Sequence, residues 1–92
     1  MLMRAPAISL LIDLPPEHRY HEATIAAIDH ASKMLNLPVD VRVVPTDTIG
    51  AQLIADPGSA VVVGPGSPYR NPQAVWEIVR SAREKGIPLV GT

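Results

Sequence analysis

The sequence contains no cysteine, which excludes a disulfide framework and any thiolate metal site. It has no Phe, one Trp and two Tyr, so its apolar content rests almost wholly on Val, Ile, Leu and Ala. Aliphatic, β-branched runs with few aromatics suit strands covered on both faces, as in parallel α/β sheets. No excess of charge of either sign exists: the net charge is −1, which gives no electrostatic reason to expect nucleic acid or an anionic membrane as partner. No run approaches the roughly 20 apolar residues that span a bilayer. The short apolar stretch near the N-terminus is broken by Asp13 and lacks a small-residue cleavage site, so no signal peptide is expected and a cytoplasmic location is. His18 and His21 can share one helix face, but no third ligand is spaced to join them. The histidines therefore read as surface residues, and neither a metal nor a cofactor is expected.

What is present is 92 residues, 47% of them hydrophobic. That is enough for one small folded domain of marginal stability. Residues 7–12 form an apolar run ended by Asp13 and two prolines, which reads as a buried strand. From Glu17 the period becomes helical, with Ile25, Ile28 and Leu35 on one face and Arg19, Glu22, Asp29 and Lys33 on the other. Pro16 fits the first turn of that helix, Asn36 a left-handed stop, and Pro38 forbids continuation. Residues 39–44 alternate Val-Asp-Val-Arg-Val-Val, as in a strand with one wet face near a sheet edge. A turn follows, then a short helix over 49–55 capped by Asp47 or Thr48. Residues 60–63, Ala-Val-Val-Val, read as a strand in the middle of a parallel sheet. Residues 64–70 form a stiff loop. Asn71 caps a helix with Pro72 at its first position, and Gly86 ends it before a last strand begins at Ile87. The alternation predicts an α/β fold with one mainly parallel sheet and helices on both faces.

Open α/β sheets bind ligands at the carboxyl ends of their strands. Residues 13–16, 64–71 and 91–92 lie there. Glycines at 64 and 66 let backbone N–H groups approach a ligand closely, while Pro65 and Pro68 stiffen the loop. Such a loop ahead of a helix suits an anion or a developing oxyanion, or serves as a tight strand-to-helix turn with no ligand. Asp13 either faces this site or caps the next helix or turn. Tyr69 and Arg70 either contact a ligand carboxylate or phosphate or pack across a partner chain. The loop lacks the Lys-Ser/Thr ending of a P-loop.

Gly64-Pro-Gly-Ser-Pro-Tyr-Arg-Asn71, followed by a helix ending Ala82-Arg-Glu-Lys-Gly-Ile-Pro-Leu-Val-Gly-Thr92, resembles the oxyanion loop and following segment of class I glutamine amidotransferases. The closest likeness is to the amidotransferase domain of CTP synthase and its stand-alone relatives. The resemblance implies that residues 1–92 are the N-terminal half of a flavodoxin-like three-layer domain, completed by a second chain. It implies a nucleophilic Cys placed just after Thr92, and a His–Glu pair further on. Gly64, Gly66 and Ser67 then provide the oxyanion or substrate-binding positions, with Asp13, Tyr69, Arg70 and Asn71 as substrate or partner contacts. The family usually has a second Gly where this chain has Ser67.

None of the 92 residues is that Cys. A fragment, a domain split between two genes and a precursor cleaved after Thr92 are the three explanations. A two-chain arrangement is preferred, because the half-domain alone exposes an apolar strand edge and one uncovered face. The expected partners are a second polypeptide carrying Cys, His and Glu, and a small amide such as glutamine. The competing expectation is a non-catalytic domain that binds a partner or small anion through residues 64–71.

Overall fold

A computed structural model describes residues 5–92. Four strands, β1 (Ala7–Leu11), β2 (Asp40–Val44), β3 (Ala60–Val63) and β4 (Leu89–Gly91), form one all-parallel sheet in the order β2-β1-β3-β4. The helices are α1 (Arg19–Met34), α2 (Ala51–Ala55) and α3 (Pro72–Lys85), with a 3₁₀ turn at Thr46–Thr48. The fold is thus α/β with a parallel sheet, matching the flavodoxin-like partial domain expected. β2 is an edge strand and β3 an interior one, as their patterns foretold. The chain steps from β1 outward to β2, then crosses back to β3 on the other side. The strand order therefore reverses between β1 and β3, which places the ligand-binding crevice of such sheets at their carboxyl ends.

Asn71 Oδ1 accepts the Ala74 amide at 3.1 Å, and Pro72 opens α3. Gly86, at φ 68°, closes it by sending its N–H back to the carbonyls of Ala82 and Arg83. Asn36 takes the left-handed conformation with φ 52°, two residues before Pro38. The start of α1 differs from expectation. His18 Nδ1 accepts the Tyr20 amide at 3.1 Å and caps the helix, leaving Pro16 outside it. Ring nitrogens are uncommon caps, and the Ser/Thr/Asp/Asn preference pointed nowhere near His18. His21 is also no surface histidine, being only 6% exposed. α2 begins at Gly50 with no side-chain cap, because the Thr48 hydroxyl turns back to the Pro45 carbonyl and Asp47 faces Arg70.

Alternation along the strands sorts the residues into two faces. Leu11, Val44, Val61, Val63 and Leu89 face α2 and α3, where Leu11, Val61, Val75, Ile78 and Ala82 form the buried cluster. Ile8, Leu10, Val43, Val62 and Val90 take the opposite parity, on the α1 side. The outer strands of four lie about 14 Å apart, whereas one helix is roughly 10 Å across. A single helix cannot cover that face. His21 is the one buried residue among the 16 of α1, and Tyr20, Val43 and Val90 stand well exposed. Trp76, on the outer side of α3, is exposed too and takes no part in the core.

Ser9 shows how the sheet is tied to its turns. Its hydroxyl, buried at 1% exposure, donates to the buried carbonyl of Pro57 at 2.6 Å and fixes the turn that feeds β3. Ser9→Ala leaves that carbonyl unsatisfied, and a loss of about 1–2 kcal/mol is expected in urea denaturation.

Candidate functional site

Three loops meet at the carboxyl edge of the sheet: the one leaving β1, the 3₁₀ turn after β2, and residues 64–71 after β3. Asp13 joins them. Its Oδ1 accepts the Thr46 amide at 2.7 Å; its Oδ2 accepts the Thr46 hydroxyl at 2.7 Å and the Arg70 amide at 2.8 Å. Thr46 is fully buried, and its hydroxyl oxygen accepts the Asn71 amide at 2.9 Å. One carboxylate and one hydroxyl thus hold the entry of α3 against the ends of β1 and β2. Burial by itself pushes the Asp13 carboxyl up. The hydrogen bonds from Arg70, the Thr46 hydroxyl and the Thr46 amide, with the Arg70 charge, outweigh burial and hold it below its ordinary 3.8. Asp13 therefore acts as a tie between loops. It caps the 3₁₀ turn across the sheet; the next helix in sequence is capped by His18 instead.

The loop is braced a second time from within. Tyr69 packs its ring against the core on the α3 side, and its hydroxyl donates to the Gly64 carbonyl at 2.7 Å. Gly64 is buried, its N–H donates to the Leu11 carbonyl at 2.8 Å, and a Cβ there would stand 3.1 Å from both Leu11 O and Ile12 Cβ. Gly64 is accordingly a packing position, with its amide committed to the sheet. Gly66 adopts φ 108°, and a Cβ on it would lie 2.8 Å from Leu14 Cγ. Only glycine fits there. The Ser67–Pro68 peptide is cis. Arg70 directs its guanidinium outward to Asp47 at 3.7 Å, an exposed pair.

Among the described residues, the consecutive amides of Gly66 and Ser67 donate to no protein acceptor. They sit on a loop pinned at both ends, beside the carboxyl end of β4, where the Thr92 amide and hydroxyl both reach the Val63 carbonyl at 3.0 and 3.1 Å. Two free N–H groups on a fixed backbone can receive a carbonyl oxygen gaining negative charge, or an anion.

Of the residues singled out in the sequence, Asp13, Arg70 and Asn71 come together through Thr46. Tyr69 and Gly64 bond to each other, and Gly66 and Ser67 stand apart with open amides. Leu14 and the bonding role of Thr46 are what sequence reasoning passed over. A threonine following a strand and a proline is a usable signal for a side-chain-to-backbone cap. Leu14 carries none beyond its place after the strand. No group of three or more His, Asp or Glu among the described residues is arranged to hold a metal ion. No described helix is long and apolar enough to cross a membrane. No family model matches the chain, and neither curated proteins nor solved structures give a match.

Proposed function

We propose that this chain is the N-terminal half of a Cys-dependent amide hydrolase of the glutamine amidotransferase type, and that it contributes the oxyanion loop. The observation that carries this reading is the pair of unengaged Gly66 and Ser67 amides on a doubly braced loop at the topological switch point. The nucleophile and its His–Glu pair lie outside these 92 residues, on a second polypeptide. That partner's thiolate adds to the carbonyl carbon of the amide, and the oxygen takes up charge in front of the two N–H groups. Collapse of the tetrahedral adduct, with a proton passed to the amide nitrogen by the partner's His, releases ammonia and leaves a thioester, which water hydrolyses. Asp13, Thr46 and Tyr69 contribute by fixing the loop, without touching substrate.

The surface left open beside α1 supports a two-chain arrangement. A groove of ≈ 540 Å³ lies there, lined on α1 by Tyr20, Ala23, Ala27 and Ile28 and on the sheet side by Val62, Pro65, Val90 and Thr92, with no charged residue. An apolar, uncharged trough next to an open strand edge suits burial by a further polypeptide. Intact-mass analysis of the native material, followed by a glutaminase assay, tests the proposal. A second polypeptide bearing a Cys is expected, with glutamate and ammonia formed by the complex and neither by this chain alone. A co-purifying Cys chain that yields no turnover on glutamine or other small amides would sink it.

A second reading is non-catalytic binding of a partner or small anion at the same loop. It is favoured by one observation: the Asp13 carboxylate, the Tyr69 hydroxyl and Asn71 Oδ1 all bond within the protein, which leaves the loop's backbone amides open for recognition. It expects a stable monomer whose unfolding transition no second polypeptide alters.

A further inference from the structure

The side chain that caps α1 is titratable. His18 stands in extended backbone, with φ −70° and ψ 135°, and its Nδ1 accepts the Tyr20 amide at 3.1 Å. Its carbonyl accepts the Glu22 amide at 3.0 Å, and its own amide donates to the Pro15 carbonyl at 2.9 Å. Serine, threonine and asparagine cap a helix at any pH, and an aspartate does so down to about pH 4. An imidazole caps only while Nδ1 keeps a free lone pair. Histidine is the side chain whose charge ordinarily changes between about pH 5 and 8, and a proton on Nδ1 takes the place of the Tyr20 amide.

The surroundings do not compensate for that loss. A positive charge at a helix N-terminus opposes the macrodipole. Arg19 already stands there, its guanidinium 4.9 Å from the Tyr20 ring centroid and bonded to the Tyr20 hydroxyl at 3.2 Å. Glu17 and Glu22 flank the cap. Glu22, one turn on, draws an imidazolium away from the Tyr20 amide, and an exposed pair of this kind contributes little. Among the described residues no ion pair or side-chain hydrogen bond joins His18 to another element, and the ring beside it is that of Tyr20, centroids 5.2 Å apart. His21, the one buried residue of α1, keeps the rest of the turn seated. Release is therefore confined to Arg19 and Tyr20.

We propose that His18 is a pH-sensitive latch: neutral, it closes the first turn of α1 and seats Tyr20; protonated, it releases both. Tyr20 lines the ≈ 540 Å³ trough with Ala23, Val90 and Thr92, so acid loosens one wall of that trough. The latch stands on the cap alone. Its effect on a docking polypeptide rests on the two-chain reading, and its test is independent of that reading.

The test is solvent exchange of the Tyr20 amide, followed by NMR from about pH 7.5 to about pH 5.5 and divided by the intrinsic rate at each pH. The Ala74 amide is the internal control, because the Asn71 side chain that holds it at 3.1 Å does not titrate. Tyr20 protection is expected to fall about fivefold on acidification, the change that loss of an N-cap makes. The Tyr20 ring resonances move at the same midpoint, while Ala74 stays level. His18→Asn supplies an acceptor at every pH and is expected to abolish the change; it keeps His21 and His30, so an effect of theirs would persist. His18→Ala is expected to leave Tyr20 poorly protected throughout. Level Tyr20 protection in the wild type, or an equal fall in His18→Asn, would overturn the assignment.

Discussion

Gly66→Ala is expected to destabilise the chain by about 2–4 kcal/mol and to free the loop before α3. Two costs add. The backbone at φ 108° lies where an L side chain is strained, at about 1–3 kcal/mol. The new methyl also meets Leu14 Cγ at 2.8 Å and two further Leu14 carbons within 3.3 Å, and forcing a side chain aside in this way costs about 1–3 kcal/mol. Leu14 cannot simply swing clear, because it is the branch carbon near its backbone that is struck. Part of the strain is relieved by local opening, which has its own signature. The Arg70 amide, donated to Asp13, and the Asn71 amide, donated to Thr46, then exchange faster with solvent while amides in α3 do not. Gly50→Ala is the control: its φ is −118° and nothing lies within 4 Å of the added methyl. Urea midpoints and amide exchange decide the matter. If Gly66→Ala unfolds with Gly50→Ala and wild type, the loop has no such constraint and cannot present fixed donors.

The same pair of glycines shows what a sequence does and does not reveal. Gly64 and Gly66 look alike in Gly-Pro-Gly, and the resemblance offers both as oxyanion or substrate-binding positions. The fold separates them, because the hydrogen-bond ladder continues one residue beyond β3 and takes the Gly64 amide to the Leu11 carbonyl. Only register, a property of two strands together, decides this. Elements set by local chemistry were legible: Asn71, Pro72 and Gly86 bound α3, Asn36 stops α1, and alternation marks β2 as an edge. Elements set across the sheet were not. Asp13 bonds to residues 33 and 57 positions away, and no local pattern announces that. His21 failed for a related reason. A histidine among charged neighbours reads as surface, yet in the folded chain His21 is only 6% exposed.

Asp13→Ala carries the other large expected effect, about 3 kcal/mol. Three donors lose their acceptor. Those of Thr46 are buried and cannot turn to water, whereas the Arg70 amide is exposed and can. Unsatisfied buried donors cost about 1–3 kcal/mol each, so the Thr46 amide and hydroxyl supply most of the loss. Asp13→Asn retains one acceptor oxygen and is expected to cost about half as much. The carboxylate is also what gives the effect its pH dependence. The folded state holds the Asp13 carboxyl below 3.8, so the folded protein binds this proton less readily than the unfolded chain. The contribution is complete above the unfolded value and is lost as pH falls through the lower folded one. The gap in unfolding free energy between wild type and Asp13→Asn should therefore be flat from pH 7 to about pH 5 and close at lower pH, below about pH 4. Thr46→Val breaks the same tie from its other end, since its hydroxyl both donates to Asp13 and accepts the Asn71 amide. Combined with Asp13→Asn, it is expected to cost less than the sum of the two single changes, with a coupling of about 1 kcal/mol. A gap that persists unchanged to pH 2, or strictly additive substitutions, would mean that the three loops are held together by packing alone. The Gly66 and Ser67 amides would then owe their position to Leu14 and Tyr69, and not to the charge at Asp13.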